Sequence, residues 1–156
     1  MEVLQRIIDP TIGIFTNLGD AHQENFSSLK QKAQEKLGLF INSEVLIYCK
    51  DNKLVDISVQ QSGFKGKTLS WGNSKDAVIR ITSTKKKIQV TEISFVYQNE
   101  NFVLSIPFTD DASIENGIHC IASMLYLGYK ADEIGKRLNN LEPVAMRLEV
   151  KEGVRN

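Results

Sequence analysis

TIGIFTNLGDAHQENFSSLKQKAQEKLGLFINSEVLIYC, residues 11–49, is the stretch that decides the fold. It opens with a short apolar run, Thr11–Thr16, and closes with a second, Glu44–Cys49, as expected for strands buried on both faces of a parallel sheet. Between them, Ser27–Phe40 predicts a helix with a serine cap and an apolar stripe at helical spacing. The cap candidates are Ser27 and Ser28, and the stripe consists of Leu29, Ala33, Leu37 and Phe40. Such a β-α-β unit is right-handed, and it places the loop after the first strand at the carboxyl edge of the sheet.

The sequence from residue 67 to residue 108 is rich in β-branched and aromatic residues and predicts strands joined by polar turns, with antiparallel pairing across those turns. Alternating patterns occur in Val78–Thr82, Ile88–Tyr97 and Phe102–Ile106, and polar turns are predicted at Ser83–Lys87 and Gln98–Asn101. The lysines at 85–87 are interpreted as a solvated turn rather than a phosphate site.

Two helices are predicted after this β section, at Ser113–Leu127 and Ala131–Leu141, and Pro143 ends the second. A strand-like segment then begins at Arg147 and breaks off, which suggests a longer protein. The predicted fold class is α/β, a mostly parallel sheet flanked by helices with an added antiparallel β section.

The composition excludes several classes of protein. Nineteen basic and nineteen acidic residues cancel, so the overall charge favours neither nucleic acid nor an anionic membrane as a partner. Cys49 and Cys120 form neither a disulfide framework nor a zinc motif, which indicates a reducing cytosol. No apolar run approaches the roughly 20 residues that a membrane span needs. One globular domain is therefore expected.

A polar loop, residues 16–28, leaves the first predicted strand and reads TNLGDAHQENFSS. Loops at such strand ends are common ligand sites. His22 and Glu24 also form the H-x-E fragment of zinc deaminases, but the P-C-x-x-C partner of that site is absent from the sequence. The loop therefore indicates a ligand site of another kind.

This loop is similar to the T-N-x-G-x-A-H-x-E-x-F-x-S pattern of the Mur ligase central domain, in the branch that adds D-alanyl-D-alanine. In that family the histidine, here His22, is a magnesium ligand. Lys36, fourteen positions further on, matches the lysine that reacts with carbon dioxide to form a carbamate. A carbamate places anionic oxygens beside a cation that an ammonium would repel. Without the resemblance, the two residues would be interpreted as a loop histidine and a surface lysine.

Ser113–Ala122 is similar to the family helix N-x-x-x-A-x-A, whose asparagine faces the adenine ring. Asn116 has the amide donor and acceptor that an adenine edge requires, although a residue bonded to the backbone at a helix start fits equally well. His119 and Cys120 replace small apolar residues of that helix, so we interpret them as packing rather than as a nucleophile pair.

Leu141–Glu149 resembles the linker L-x-P-V-x-G-R-L-E that leads into the carboxyl-terminal domain of the family. The resemblance implies that Arg147 contacts the ribose or phosphate of the nucleotide, a role that suits a guanidinium. Taken alone, Arg147 would be a surface arginine before a strand.

Residues 63–68, Gly-Phe-Lys-Gly-Lys-Thr, match the short phosphate loop G-x-x-G-K-T of the family, but we expect a decoy. A phosphate loop needs a buried strand before it and a helix after it. Here Ser58–Ser62 is polar, and Leu69–Asn73 is a strand-like piece that ends in a turn. In the family the loop precedes Thr16–Asn17. We therefore expect the phosphate loop and a glutamate magnesium ligand upstream of Met1.

The resemblance implies that residues 1–142 are the second half of a Mur ligase central domain without its phosphate loop. Residues 143–156 would be the linker and the start of the carboxyl-terminal ligase domain. The expected metal and catalytic residues are His22 and Lys36, and the expected nucleotide contacts are Asn17, Asn116 and Arg147. The chain alone is expected to be inactive.

The parent would be a cytoplasmic bacterial enzyme, in some bacteria fused to alanine racemase. It would use ATP and Mg²⁺ to form an acyl phosphate on UDP-N-acetylmuramoyl-tripeptide and join it to D-alanyl-D-alanine. Three alternatives remain: another Mur ligase, a ligase similar to folylpolyglutamate synthase, or an inert scaffold domain. Mur ligases that add earlier residues typically show H-x-D in place of H-x-E. The H-x-E of this sequence therefore favours the branch that adds D-alanyl-D-alanine.

Overall fold

Ten helices and strands make up the part of the chain that the computed structural model describes, which is Gln5, residues 7–18 and residues 28–142. In chain order they are β1 (Ile12–Phe15), α1 (Leu29–Gly38), β2 (Val45–Cys49), α2 (Lys53–Gln61), β3 (Lys67–Gly72), β4 (Ile79–Lys86), β5 (Thr91–Tyr97), β6 (Glu100–Ile106), α3 (Asp111–Tyr126) and α4 (Ala131–Leu138). The predictions for His22, Arg147 and the segment 143–156 lie outside the described residues.

The six strands form one sheet in the order β1-β2-β3-β4-β5-β6. The strands β1 to β4 pair in parallel, and β4, β5 and β6 pair antiparallel. The predicted α/β class, with a parallel part and an added antiparallel section, is confirmed. Because α1 and α2 are the crossover connections of the parallel part, the carboxyl ends of β1, β2 and β3 share one edge of the sheet.

Strand β2 explains why helices cover both faces of the sheet. Leu46 and Tyr48 lie in a buried cluster with residues of α1 and α2. Val45 and Ile47 point to the other face, where they lie in the larger cluster with residues of α3 and α4. Alternate side chains of a strand point to opposite faces, so an apolar run without alternation must be covered twice.

The helix boundaries follow from capping. Ser28, one of the two predicted caps, accepts a hydrogen bond from the Gln31 amide at 3.2 Å and begins α1. No helix is predicted at α2, because Ser58–Ser62 is polar. In the structure, the Asn52 side chain caps the helix, and Val55 and Val59 lie on its buried face. Among the described helices, none is long and apolar enough to cross a membrane.

The predicted turn at Ser83–Lys87 is wrong in position, because β4 continues to Lys86. Lys85 pairs with Glu92 across the ladder, and Lys87 forms an ion pair with Glu92 at 3.0 Å. Opposite charges on neighbouring strands favour pairing over a turn. The lysines are exposed, as expected. The predicted turn at Gln98–Asn101 is confirmed at Gln98 and Asn99, whose φ values of 52° and 66° suit a tight hairpin.

Candidate functional site

Lys36 and Asn17 are in contact at the carboxyl edge of the sheet. Lys36 lies in the last turn of α1, and its Nζ donates a hydrogen bond to the backbone oxygen of Asn17 at 3.1 Å. Asn17 is the second residue after β1, so the amine reaches the start of the predicted ligand loop. The structure therefore brings together two of the residues that the sequence predicts for the site.

A second lysine modifies the chemistry of Lys36. Burial lowers the pKa of Lys36, and the positive charge of Lys32 lowers it further. Lys32 lies one helical turn earlier and is only 3% exposed, which is unusual for a lysine. The lowered pKa increases the fraction of neutral amine, which is the form of lysine that reacts with carbon dioxide. The sequence signal for Lys32 is its spacing of four residues from Lys36 on one helix face.

One of the two predicted metal ligands, Lys36, lies within the described residues. Within residues 7–18 and 28–142, no group of three or more His, Cys, Asp and Glu side chains is placed to hold a metal ion. An ammonium cannot be a metal ligand, whereas a carbamate on Lys36 would present oxygen donors at the loop end of β1. The position of the Lys36 amine therefore fits the predicted role, and the second predicted ligand, His22, lies outside the described residues.

Asn116 is exposed on α3, in its second turn. The helix begins at Asp111, and Asp110 is the cap, because its side chain accepts a hydrogen bond from the Ser113 amide at 2.8 Å. The interpretation of Asn116 as a residue at the helix start is therefore wrong. Burial raises the pKa of the Cys49 thiol, and the charges of Asp51 and of Glu115, the neighbour of Asn116, raise it further. Because Cys49 ends β2, this part of α3 faces the carboxyl edge of the sheet.

His119 and Cys120 differ in their surroundings. His119 is buried against Trp71, with ring centroids 5.0 Å apart and ring planes at 85°, so its interpretation as packing is confirmed. Cys120 is exposed, so the same interpretation is wrong for Cys120. No local pattern predicts the pair of Trp71 and His119, because 48 positions separate the two residues.

We expect His119 to make the protein less stable in acid. Burial lowers the pKa of His119 from 6.5 to about 4. Between these pH values the unfolded chain binds a proton that the folded chain does not bind, so this stability is full above pH 6.5 and is lost as the pH falls towards 4. The loss between pH 7.5 and pH 4.5 is about 2 to 3 kcal/mol.

Urea unfolding at the two pH values checks this expectation. His119→Phe should reduce the difference in unfolding free energy between them by that amount, and Cys120→Ser, on the exposed neighbour, should leave the difference unchanged. Equal pH dependence in the wild type and His119→Phe would contradict the buried neutral imidazole.

The segment Gly63–Thr68 consists of the connection after α2 and the first two residues of β3, at the edge of the sheet opposite Asn17. A helix precedes the segment and a strand begins within it, which is the reverse of the order in a phosphate loop. A Cβ on Gly66 would collide with the Ser43 carbonyl and would lie 2.7 Å from the Glu44 carbonyl oxygen. Gly66 is therefore required by close backbone packing, and the geometry agrees with a decoy.

Two substitutions in this segment should separate packing from phosphate binding. We expect Gly66→Ala to lower the unfolding free energy by about 1 to 3 kcal/mol, because backbone atoms must move. Lys67→Ala should change stability by less than about 0.5 kcal/mol, since Lys67 is exposed. In the full-length protein, Lys67→Ala should leave the KM for ATP within twofold. A large rise in that KM would show that the segment binds phosphate after all.

Asp51, after β2, organises the loop that follows β3 and was not predicted from the sequence. Its carboxylate accepts hydrogen bonds from the Asn73 amide at 2.8 Å, the Asn73 side chain at 2.7 Å and the Ser74 amide at 3.3 Å. Lys50 forms an ion pair with Asp76 at 2.8 Å in the same loop. These contacts fix the backbone at the carboxyl ends of β2 and β3, next to the candidate site.

The sequence of this chain is similar to those of known ligases. A family model described as the Mur ligase middle domain matches residues 2–124. The chain is 24% identical over 160 residues to the UDP-N-acetylmuramoyl-tripeptide--D-alanyl-D-alanine ligase of Bacillus subtilis, covering 96% of this chain and 32% of that ligase. It is 21% identical over 147 residues to the UDP-N-acetylmuramate--L-alanine ligase of Francisella tularensis, covering 92% of this chain and 33% of that ligase.

Solved structures share the fold. MurF from Acinetobacter baumannii has a TM-score of 0.80 at 17% identity, covering 96% of this chain and 33% of that one. MurF from Thermotoga maritima in complex with ADP has a TM-score of 0.74 at 18% identity, covering 95% of this chain and 35% of that one. The apo form of L. casei FPGS has a TM-score of 0.67 at 14% identity, covering 92% of this chain and 36% of that one. The chain spans about a third of the length of the curated relatives that it matches.

Proposed function

The chain belongs to the Mur ligase family through its middle domain, and from that premise we propose that it supplies part of the ATP site of a peptidoglycan ligase. The observation that carries the proposal is the contact of Lys36 with Asn17 at the carboxyl edge of the parallel strands. In open α/β sheets, ligands bind at this edge. Two of the residues that the family resemblance selects, Lys36 and Asn17, are thus in contact where a ligand is expected.

We assign the following roles to the residues of this chain. The neutral amine of Lys36 adds to carbon dioxide and releases a proton, which gives a carbamate, and the contact of Lys36 with the loop end of β1 orients the long side chain. Lys36 and His22 would hold Mg²⁺, which would neutralise negative charge on the transferring phosphoryl group. Asn116 offers its exposed amide to the adenine edge, and Asn17 and Arg147 complete the nucleotide contacts.

The proposed reaction joins D-alanyl-D-alanine to UDP-N-acetylmuramoyl-tripeptide through an acyl phosphate. The name of the Bacillus subtilis relative and the H-x-E form of the loop at His22 support this substrate choice. We further propose that residues 1–142 are the second half of the central domain without its phosphate loop, that 143–156 lead into the next domain, and that the enzyme acts in the bacterial cytoplasm.

A comparison of ADP release with different substrate pairs tests the proposal in the full-length protein. We expect ADP release with MgATP only when the UDP-N-acetylmuramoyl-tripeptide and D-alanyl-D-alanine are both present. Turnover with UDP-N-acetylmuramate and L-alanine would assign the chain to the branch of the Francisella relative. Turnover with a folate and glutamate would assign it to the folylpolyglutamate synthases. Absence of ADP release with every pair would leave only the scaffold alternative.

The chain of 156 residues should itself bind MgATP only weakly. No segment of the described residues places a phosphate loop between a buried strand and a helix, so the phosphates lack their main binding amides. Calorimetric titration measures this directly, and tight binding by the chain alone would contradict the missing-loop proposal.

A further inference from the structure

A buried pair of side chains, Trp71 in β3 and His119 in α3, lies beside the candidate site. The indole Nε1 of Trp71 donates a hydrogen bond to Nδ1 of His119 at 3.1 Å. An indole nitrogen can only donate, so Nδ1 must accept and carries no proton. In the neutral imidazole the proton therefore lies on Nε2. Trp71 thus selects one of the two tautomers of His119.

Nε2 of His119 is buried and has no hydrogen-bond partner among the described residues. Burial lowers the pKa of His119, and the backbone of Thr16 opposes this, as a nearby carbonyl oxygen that can accept from an N–H group does. A buried donor without a full hydrogen bond is unfavourable, so an approach of the Thr16 carbonyl to Nε2 is favoured. The polar end of the ring is therefore available for a contact with the end of β1.

Thr16 lies between His119 and the residues of the candidate site. It follows the last residue of β1 and precedes Asn17, whose carbonyl accepts the hydrogen bond from Lys36. On the other side, Asn116 lies three residues before His119 on α3. A link between His119 and Thr16 would therefore connect the helix proposed to face adenine with the lysine proposed to hold the metal.

We propose that His119 is a positioning residue, whose Nε2–H holds the Thr16 carbonyl and so keeps Asn17 and Lys36 aligned with helix α3. The catalytic effect of this contact rests on the proposed function. The existence of the contact does not depend on that function. Residues that orient a catalytic or metal-binding group act on the rate without touching substrate. Replacement of such residues commonly costs tenfold or more in activity.

Nuclear magnetic resonance of the 156-residue chain tests the contact without any enzyme assay. Long-range ¹H–¹⁵N spectra at pH 7 should show a protonated Nε2 and an unprotonated Nδ1 on His119. The ¹⁵N shift of the Asn17 amide reports on hydrogen bonding to the Thr16 carbonyl. It should move in His119→Phe and stay in place in Cys120→Ser. The opposite tautomer, or an unmoved Asn17 amide in His119→Phe, would overturn the inference.

Kinetics of the full-length ligase test the consequence. His119→Phe keeps a ring of similar shape against Trp71 but has neither nitrogen, and we expect kcat to fall about tenfold with the KM for ATP within twofold. His119→Gln retains an amide donor and an acceptor and should recover most of kcat. Cys120→Ser is the matched control. Assays are run well below the unfolding temperature of each variant, so that lost folded protein does not imitate lost turnover.

The outcomes separate the two proposals. If the wild type ligates and His119→Phe keeps the full kcat, the positioning role is wrong and the proposed function stands. A similar loss of kcat in His119→Gln and His119→Phe would also count against positioning, because the hydrogen-bonding groups would then be irrelevant. If the wild type shows no ligation, the proposed function fails, and the tautomer and the Asn17 shift decide whether the contact exists.

Discussion

Lys36→Ala in the full-length protein is expected to lower kcat by about a thousandfold or more, because the variant would lose the carbamate that we propose to hold the Mg²⁺ that stabilises charge during phosphoryl transfer. Lys36 is held at the loop end of β1 by its hydrogen bond to the Asn17 carbonyl, and its pKa is lowered by burial and by Lys32. The hydrogen bond fixes the position of the amine, and the lowered pKa increases the fraction that is neutral. Steady-state turnover with saturating substrates measures the effect.

Chemical rescue distinguishes a carbamate from an ordinary lysine. Short carboxylic acids or bicarbonate should restore part of the activity of Lys36→Ala, since they place a carboxylate where the carbamate would lie. Lys36→Arg keeps the positive charge but cannot form a carbamate, so it should be as inactive as Lys36→Ala. Lys30→Ala, an exposed lysine on the same helix, is the matched control and should retain full turnover. Full activity of Lys36→Arg would refute the carbamate.

Ile47→Ala should lower the unfolding free energy by about 2 to 5 kcal/mol, the usual range for removing a buried large aliphatic side chain. Ile47 is fully buried in the centre of the parallel sheet, within the cluster that α3 and α4 cover. The cost combines lost burial with the cavity that remains. Urea unfolding of the 156-residue chain, with m-values compared between variants, measures the change.

Ile14→Ala provides a control with the same chemistry in the neighbouring strand. Ile14 pairs with Ile47 in register but is 39% exposed, against 0% for Ile47. We expect Ile14→Ala to cost less than half as much as Ile47→Ala, because less apolar surface is lost. Equal losses at the two positions would mean that α3 and α4 do not bury Ile47 as the structure has it.

Most of the fold could be predicted from local patterns. The apolar run Val45–Cys49 has no alternation, and this is possible only for a strand covered on both faces. The stripe in α1 and the cap at Ser28 likewise act over one or two turns of a helix. The error at Ser83–Lys87 has a tertiary cause, because pairing with β5 extends β4 through residues whose own preference is for a turn.

The candidate site was predictable to a smaller degree. The motif around Asn17 and the lysine at position 36 could be selected by resemblance, but their contact is a product of the crossover between β1 and β2. For Asn116 the sequence allowed two roles, a contact with adenine or a bond to the backbone at the start of the helix. The cap at Asp110 excludes the second role. The segment Gly63–Thr68 matches the phosphate-loop motif in sequence, but it lies at the edge of the sheet opposite the candidate site.

The sequence by itself determined most of the strands and helices and their layering, with α2 and the end of β4 as the exceptions, because hydrophobic periodicity and capping are properties of neighbouring residues. Only the tertiary structure decided which distant side chains meet. Trp71 and His119 are 48 positions apart, and Lys36 reaches back 19 positions to Asn17. Such pairs form because packing the helices onto the sheet brings them together, and that packing is a property of the whole core, with no local signature in the chain.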